Sequence, residues 1–525
     1  MTSIRWCAVA VALASAAGGW GQAQFWGELK AGKYAVGFRS LYQLDVARRY
    51  DADYPAPGGT AVKKPRPIFL AIWYPAAARE DVAMDTSMVY RDYFRAVSVE
   101  SPVPEFAQRL RKFTRDMACQ YMFGKEFEKL TGDERAAWDG LLATPVFATL
   151  NAAPAAGKFP VVIYHPGLGG TFDDNAVACE YLASHGYVVL SSAYQAADSS
   201  RLNIDGDLAT SFDDLNFLLR YAATLPLADL SRVAAMGHSY GAQAMLAWRA
   251  RPDSAVDAVV FLDSNVEYRP LDDFADFKAA LERNRNSTVP VVMFADRRRN
   301  PRLESFDRYL QFAARYEAEV DGMDHNDFVS QGGTGKGDGV RRKYEAICEA
   351  ILHFLDGHLK GDTEALKSLR GARPDGLLQL AYKAARPAPP TSAQIAKMYS
   401  SEGLANLEAL SALVKDNDAD LVVGAAALLF DGGRKREGAS LLKWAAPLLP
   451  RSADLERALG EALLGMGDKA GARAAFEKAL VLLPEDVGLD AGQKAETRKA
   501  VEEGLKALRK RERWVRLAGR RTTAA

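Results

Sequence analysis

Short apolar runs separated by helix-length segments constrain this chain more than any other feature. Pro160-Val161-Val162-Ile163-Tyr164, Tyr187-Val188-Val189-Leu190-Ser191, Val233-Ala234-Ala235-Met236, Val256 to Leu262 and Val289 to Ala295 are apolar nearly throughout. A strand with one face in water alternates in polarity, whereas a strand covered on both faces does not. Amphipathic stretches such as Asp207 to Leu225 and Arg341 to Leu359 lie between or after the runs. The pattern predicts an α/β architecture: a mostly parallel sheet with helices on both faces. Ile68 to Tyr74 reads as a strand ahead of this core. Residues 81–150 read as a helix-rich insertion that helps to shape a pocket.

One run leads into Gly237-His238-Ser239-Tyr240-Gly241, and the Ala-rich segment Ala242 to Ala250 follows. A serine in G-x-S-x-G between a strand and a helix sits on a sharp turn, and small flanking residues let that turn close. This context marks a nucleophile elbow and, with it, the α/β-hydrolase fold. Upstream, His165-Pro166-Gly167-Leu168-Gly169-Gly170 follows another apolar run. In such a fold the loop here and the residue after the nucleophile supply the N–H groups of an oxyanion hole. The candidates are the backbone N–H groups of Leu168 and Tyr240.

A serine hydroxyl needs a base. The chain has 6 histidines, so elimination is informative. His165 belongs to the oxyanion loop, His185 precedes Gly186 at a helix end, and His238 adjoins the nucleophile and should point away from it. His353 and His358 fall on the last helix of the domain. That leaves His325, in Gly322-Met323-Asp324-His325-Asn326-Asp327-Phe328, after the apparent strand Tyr316 to Val320. For the acid two residues fit the order Ser, Asp, His. Asp263 ends the run Val259-Val260-Phe261-Leu262, and Asp296 ends Val291-Val292-Met293-Phe294-Ala295. Asp263 is preferred. Asp296 is followed by Arg297, Arg298 and Arg299, which are expected to partly neutralise it and offer it a structural partner.

These residues resemble those of plasma-type platelet-activating-factor acetylhydrolases. The likeness is carried by Gly167-Leu168-Gly169, Leu182-Ala183-Ser184-His185-Gly186-Tyr187, the elbow, Phe261-Leu262-Asp263 and His325-x-x-Phe328. Gly32-Lys33-Tyr34-Ala35-Val36-Gly37 and Ile72-Trp73-Tyr74-Pro75 add to it. It spans about Lys33 to Leu355, with a diverged middle, and departs from the family at Pro166. The resemblance implies a carboxylic-ester hydrolase without metal or cofactor, its acid at Asp263. A neighbouring resemblance, to dienelactone hydrolases, would favour Asp296.

The remainder has another character. Arg386-Pro387-Ala388-Pro389-Pro390-Thr391-Ser392 reads as a linker (386–392), dividing a hydrolase domain at 27–385 from Ala/Leu-rich helices at 393–515. Leu459, Gly460, Gly467, Ala472, Phe476, Ala479 and Pro484 fall at tetratricopeptide spacing. Ala426, Gly433, Leu442, Ala445 and Pro450 repeat the pattern about 34 residues earlier. A weaker third unit covers Gln394 to Asp416. These resemble tetratricopeptide repeats and imply a protein partner. At the other end, Arg5, the apolar stretch Trp6 to Ala17 and Gly21-Gln22-Ala23 read as a signal peptide at 1–23, hence a periplasmic or secreted protein.

Lys+Arg and Asp+Glu both number 67, which argues against a nucleic-acid partner, and no run beyond the signal is long enough to span a membrane. Cys119, Cys179 and Cys348 lack metal-ligand spacing and are expected to be buried thiols. The expected partner is a small-molecule ester, lipid-like esters included. Two alternatives stand beside this reading. One is a scaffold acting through its repeats with a vestigial hydrolase domain, and the other is an acyltransferase.

Overall fold

A computed structural model describes residues 24–51, 63–77, 88–97, 101–193, 207–249, 255–334, 337–371, 375–402, 411, 414, 419–486, 489 and 491–521. The expected signal segment and part of the weak third repeat lie outside the described residues. The chain divides into two compact units, which meet in sequence at Arg386 and Pro387.

Among the described residues the first unit has ten strands: β1 (Ala35–Asp51), β2 (Lys63–Ala76), β3 (Ala148–Leu150), β4 (Phe159–His165), β5 (Val188–Ser191), β6 (Ala228–His238), β7 (Ala258–Leu262), β8 (Val291–Asp296), β9 (Arg315–Val320) and β10 (Leu378–Lys383). They form one sheet in the order β10-β9-β8-β7-β6-β4-β5-β2-β1-β3. From β5 to β9 every neighbouring pair is parallel. β2 joins this core antiparallel through β5.

The apolar runs follow from that position. β4, β5, β7 and β8 are buried along their whole length. Alternate residues serve opposite layers. Val162, Tyr164, Val260, Leu262, Val292 and Phe294 face one apolar cluster, with the helices Pro104–Phe123, Ala176–Ser184 and Asp338–Leu359. Val161, Ile163, Val259, Phe261, Val291 and Met293 face the other, with Leu208–Ala222, Tyr240–Trp248 and Ala275–Arg283. This is the α/β-hydrolase fold, and an all-α unit follows it.

One expectation fails. Strand signals in the sequence stop at Asp362, yet β10 pairs antiparallel with β9 through Leu378↔Val320 to Lys383↔Arg315. β10 is an edge strand and only Leu378 is fully buried along it, so it carries no apolar run.

The topology places the chemistry. β4 lies between β5 and β6, so the chain reverses direction across the sheet there. In open α/β sheets ligands bind outside the carboxyl ends of the strands at such a switch point. The loops after β4 and β6 are neighbours at that spot, and the ends of β7, β8 and β9 follow in order.

In the second unit, helices Asp420–Asp431 and Lys435–Ala445 pack as a pair, as do Ala453–Gly465 and Lys469–Leu482. A Cβ on Gly460 would stand 2.5 Å from the Phe476 ring, so the glycine lets this second pair close. Ala472, Phe476 and Ala479 are fully buried there.

Each unit encloses apolar clusters of its own. A chain ended at Arg386 is therefore expected to stay soluble and to unfold in one cooperative transition, followed by circular dichroism against temperature. Aggregation or a broad, uncooperative melt would show that the first unit depends on the second.

Candidate active site

β6 ends at His238 and a helix begins at Tyr240, so the whole reversal falls on Ser239. Its backbone takes φ 55° and ψ −125°, a conformation that costs a non-glycine residue about 1–3 kcal/mol. The surroundings hold it there. The Ser239 N–H donates to the carbonyl of Leu262 at 3.0 Å. A Cβ on Gly237 would lie 2.4 Å from the Gly241 carbonyl carbon, and one on Gly241 would lie 2.0 Å from the His165 carbonyl oxygen. The two glycines of the motif are thus required by close approach, and the second packs the elbow onto the loop after β4.

That loop lies against the nucleophile. A Cβ on Gly167 would stand 2.6 Å from Ser239 Cβ. The loop closes in a turn, with the Gly170 N–H donating to the Gly167 carbonyl at 3.0 Å. Leu168 is at the rim, 44% exposed. The expected insertion helps to wall the loop: Met117 Cε lies 3.1 Å from where a Gly169 Cβ would be. Below, Tyr164 donates to Asp174 and Thr171 donates to Asp173, each at 2.7 Å. Burial pushes both carboxyls up, that of Asp173 to about 6. The Asp174 carbonyl accepts from Ser330 Oγ at 2.7 Å and from the Gln331 N–H at 3.1 Å. The loop after β4 is thereby tied to the segment that follows His325.

His325 opens a short 3-10 turn after β9. Its Nε2 is 2.9 Å from Ser239 Oγ and its Nδ1 is 2.5 Å from Asp263 Oδ2. Asp263 is fully buried at the end of β7. With Nδ1–H donating to the carboxylate, Nε2 is the lone-pair nitrogen and can accept the serine proton. The structure thus brings together Ser239, His325 and Asp263.

Asp296 is elsewhere engaged. Its Oδ1 accepts the Gly322 N–H at 2.8 Å and the Arg298 N–H at 3.3 Å, capping the turn Arg297–Arg299. The side chains of Arg297 and Arg299 do not partner it as expected. Arg297 pairs with Asp321 at 3.2 Å, and Arg299 reaches back to Asp263 at 3.2 Å. The cap fits this: one oxygen of the Asp296 carboxylate accepts two backbone N–H groups, and the turn it caps carries Arg299 to Asp263.

The other histidines have separate roles. The buried His165 ring bonds to the Pro166 carbonyl at 2.6 Å and to Ser211 Oγ at 3.2 Å. His185 ends the helix Ala176–Ser184. His353 and His358 lie on the helix Asp338–Leu359. His238 contributes more than the sequence indicates. Its Nε2–H donates to the His325 carbonyl at 2.9 Å, and the two rings lie 4.6 Å apart. Burial, with the nearby His325 adding to it, pushes His238 down to about 3, so it remains a neutral prop. Its only sequence signal is its place beside the nucleophile.

Cys119, Cys179 and Cys348 are free and buried. Among the described residues no group of three or more His, Cys, Asp or Glu side chains is arranged to hold a metal ion. No described helix is long and apolar enough to cross a membrane.

The reversal after β6 and the histidine loop after β9 meet at the carboxyl edge of the parallel sheet, where the α/β-hydrolase class keeps its chemistry. No family model matches the chain, and no curated protein matches it. Among solved structures the chain is similar to a ferulic acid esterase from Streptomyces cinnamoneus. The two are 18% identical, with a TM-score of 0.46, over 67% of this chain and 98% of that one.

Proposed function

We propose that the first unit is a serine hydrolase that cleaves carboxylic esters through an acyl-enzyme. One observation carries this reading. A strained serine, a histidine and a buried aspartate form a single hydrogen-bonded series, Ser239 Oγ to His325 Nε2 at 2.9 Å and His325 Nδ1 to Asp263 at 2.5 Å. Geometry of this kind has a chemical use. As Ser239 Oγ attacks the acyl carbon, His325 takes its proton and Asp263 offsets the imidazolium charge. The imidazolium then delivers the proton to the leaving alcohol. Water, deprotonated by the same nitrogen, releases the acid and restores the serine. The N–H groups of Leu168 and Tyr240 hold the oxyanion, a reading supported by the approach of Gly167 to Ser239.

The resemblance to acetylhydrolases supports short acyl groups as first substrates. The pattern at Arg5 to Ala23 supports export, hence a periplasmic or secreted site. The paired C-terminal helices support a tetratricopeptide-like array that binds a protein partner.

The test is labelling of the purified chain with a fluorophosphonate, followed by p-nitrophenyl esters of increasing acyl length. One adduct, on Ser239, is expected. Absence of labelling together with absence of turnover would leave the scaffold reading in its place. Activity is further expected to survive exhaustive chelation, because the serine, histidine and aspartate chemistry uses no metal. Loss of turnover on chelation, with recovery on adding zinc, would assign the protein to another reaction class.

A further inference from the structure

Two side chains that the proposed chemistry does not use converge on the Asp263 carboxylate. The Tyr268 hydroxyl donates to Oδ1 in a short hydrogen bond. Arg299 Nη1 donates to Oδ2 at 3.2 Å. They also hold each other, since the Arg299 guanidinium lies 3.7 Å from the centroid of the Tyr268 ring. Each is anchored again from behind. The Tyr268 hydroxyl accepts the Asp296 N–H at 2.7 Å, and Arg299 Nη2 donates to Asn265 Oδ1 at 2.7 Å. The Asn265 amide nitrogen is in turn 3.3 Å from His325 Nε2.

The backbone here requires such support. Asp263 has φ 30° and Asn265 has φ 73°, both in the left-handed region. Strained non-glycine residues persist only where their surroundings over-determine them. We propose that Tyr268 and Arg299 are positioning residues that clamp the Asp263 carboxylate toward His325 Nδ1, an inference that rests on the triad reading above.

The charges around the pair leave Arg299 a distinct part. On the β7 side, Glu267 accepts from the Ser264 N–H at 2.9 Å and from Ser264 Oγ at 2.7 Å. Burial first, and the Asp263 charge second, push its carboxyl up toward the neutral form. The same two causes push the Tyr268 phenol up, so it stays a donor. On the elbow side His238 is neutral. On the β8 side Asp296 caps its turn. In the His325 loop, Asp324 and Asp327 form a capping box with each other's backbone. Arg299 is thus the cation set against the carboxylate while the base is neutral.

The experiment measures the pH profile of kcat/KM on p-nitrophenyl acetate, per fluorophosphonate-titrated site, for Tyr268→Phe, Arg299→Gln and Arg299→Lys. Tyr268→Phe is expected to lower kcat about tenfold to a hundredfold with KM nearly unchanged, as for loss of a hydrogen bond to a charged group. Arg299→Gln removes the positive charge that stands 3.2 Å from Asp263 Oδ2. Its acid limb is expected to move up by about 0.5–1 pH unit, less at high salt. Arg299→Lys keeps the charge and restores the limb. It does not restore full kcat, because an ammonium lacks the fork that spans Asp263 and Asn265. A wild-type kcat and an unmoved acid limb in both Tyr268→Phe and Arg299→Gln, with Ser239 labelling normally, would overturn the clamp and leave the esterase reading standing. If Tyr268→Phe fails to fold, the exposed Arg299 variants decide. Failure of the wild-type chain to label at Ser239 would overturn both.

Discussion

Ser239→Ala is expected to lower ester turnover about a million-fold, the scale seen when a triad serine is lost, and to abolish fluorophosphonate labelling. The fold should survive with a stability change below about 1 kcal/mol, since truncating a part-exposed hydroxyl removes little packing. The substitution deletes one oxygen, and that oxygen's partner is His325 Nε2 at 2.9 Å. His325 keeps Asp263 on its other nitrogen, and its ring is 28% exposed, so water can replace the lost contact. The backbone strain at φ 55° is common to serine and alanine, so the variant neither relieves nor adds to it. The measurements are kcat on p-nitrophenyl acetate, adduct formation by mass spectrometry and a thermal melt. Turnover close to wild type in a folded variant would remove Ser239 from the chemistry.

What was legible in the sequence followed from burial. Strands β4, β5, β7 and β8 lie within the sheet with both faces covered, and they are largely apolar because either face must bury them. β10 was not legible because an edge strand with one buried residue has no such demand on its composition. β3 spans only Ala148–Leu150, too short for a periodic signal. The elbow was legible because its glycines are set by sterics that act within five consecutive residues. His325, which the structure places beside Ser239, stood out because the chain has few histidines. The clamp was not legible. Tyr268, Arg299 and Asn265 sit in loops after two different strands, and nothing in the local pattern of either loop records which side chains will meet. The arginine run after Asp296 shows the limit well. Proximity in sequence suggested an ion pair with Asp296, but a cap on the backbone took that carboxylate and the fold carried Arg299 to Asp263.

Asp263→Asn and Asp296→Asn are expected to separate by about three to four orders of magnitude in kcat, although both are buried aspartates at adjacent strand ends. Asp263 accepts from His325 Nδ1 at 2.5 Å, which fixes the proton on that nitrogen and leaves Nε2 to take the serine proton. An amide at this place can turn its NH2 to Nδ1. It then favours the other tautomer, with the proton on Nε2, where it blocks the attack. Loss of the carboxylate also leaves the imidazolium without its counter-charge, and together these cost about 10⁴-fold in comparable triads. Asp296 does different work. Its Oδ1 accepts the N–H groups of Gly322 and Arg298, and the Oδ1 of asparagine accepts them as well. Its backbone N–H, which donates to the Tyr268 hydroxyl at 2.7 Å, is untouched by the substitution. Asp296→Asn should therefore keep the turn and the position of Arg299, and its kcat should fall by less than about tenfold, the effect of a modest shift in a supporting hydrogen bond. Both variants are assayed on one ester, with circular dichroism as the check on folding. A collapse in Asp296→Asn beside near-normal turnover in Asp263→Asn would move the acid to the end of β8. It would also leave the short contact between His325 and Asp263 without a catalytic purpose.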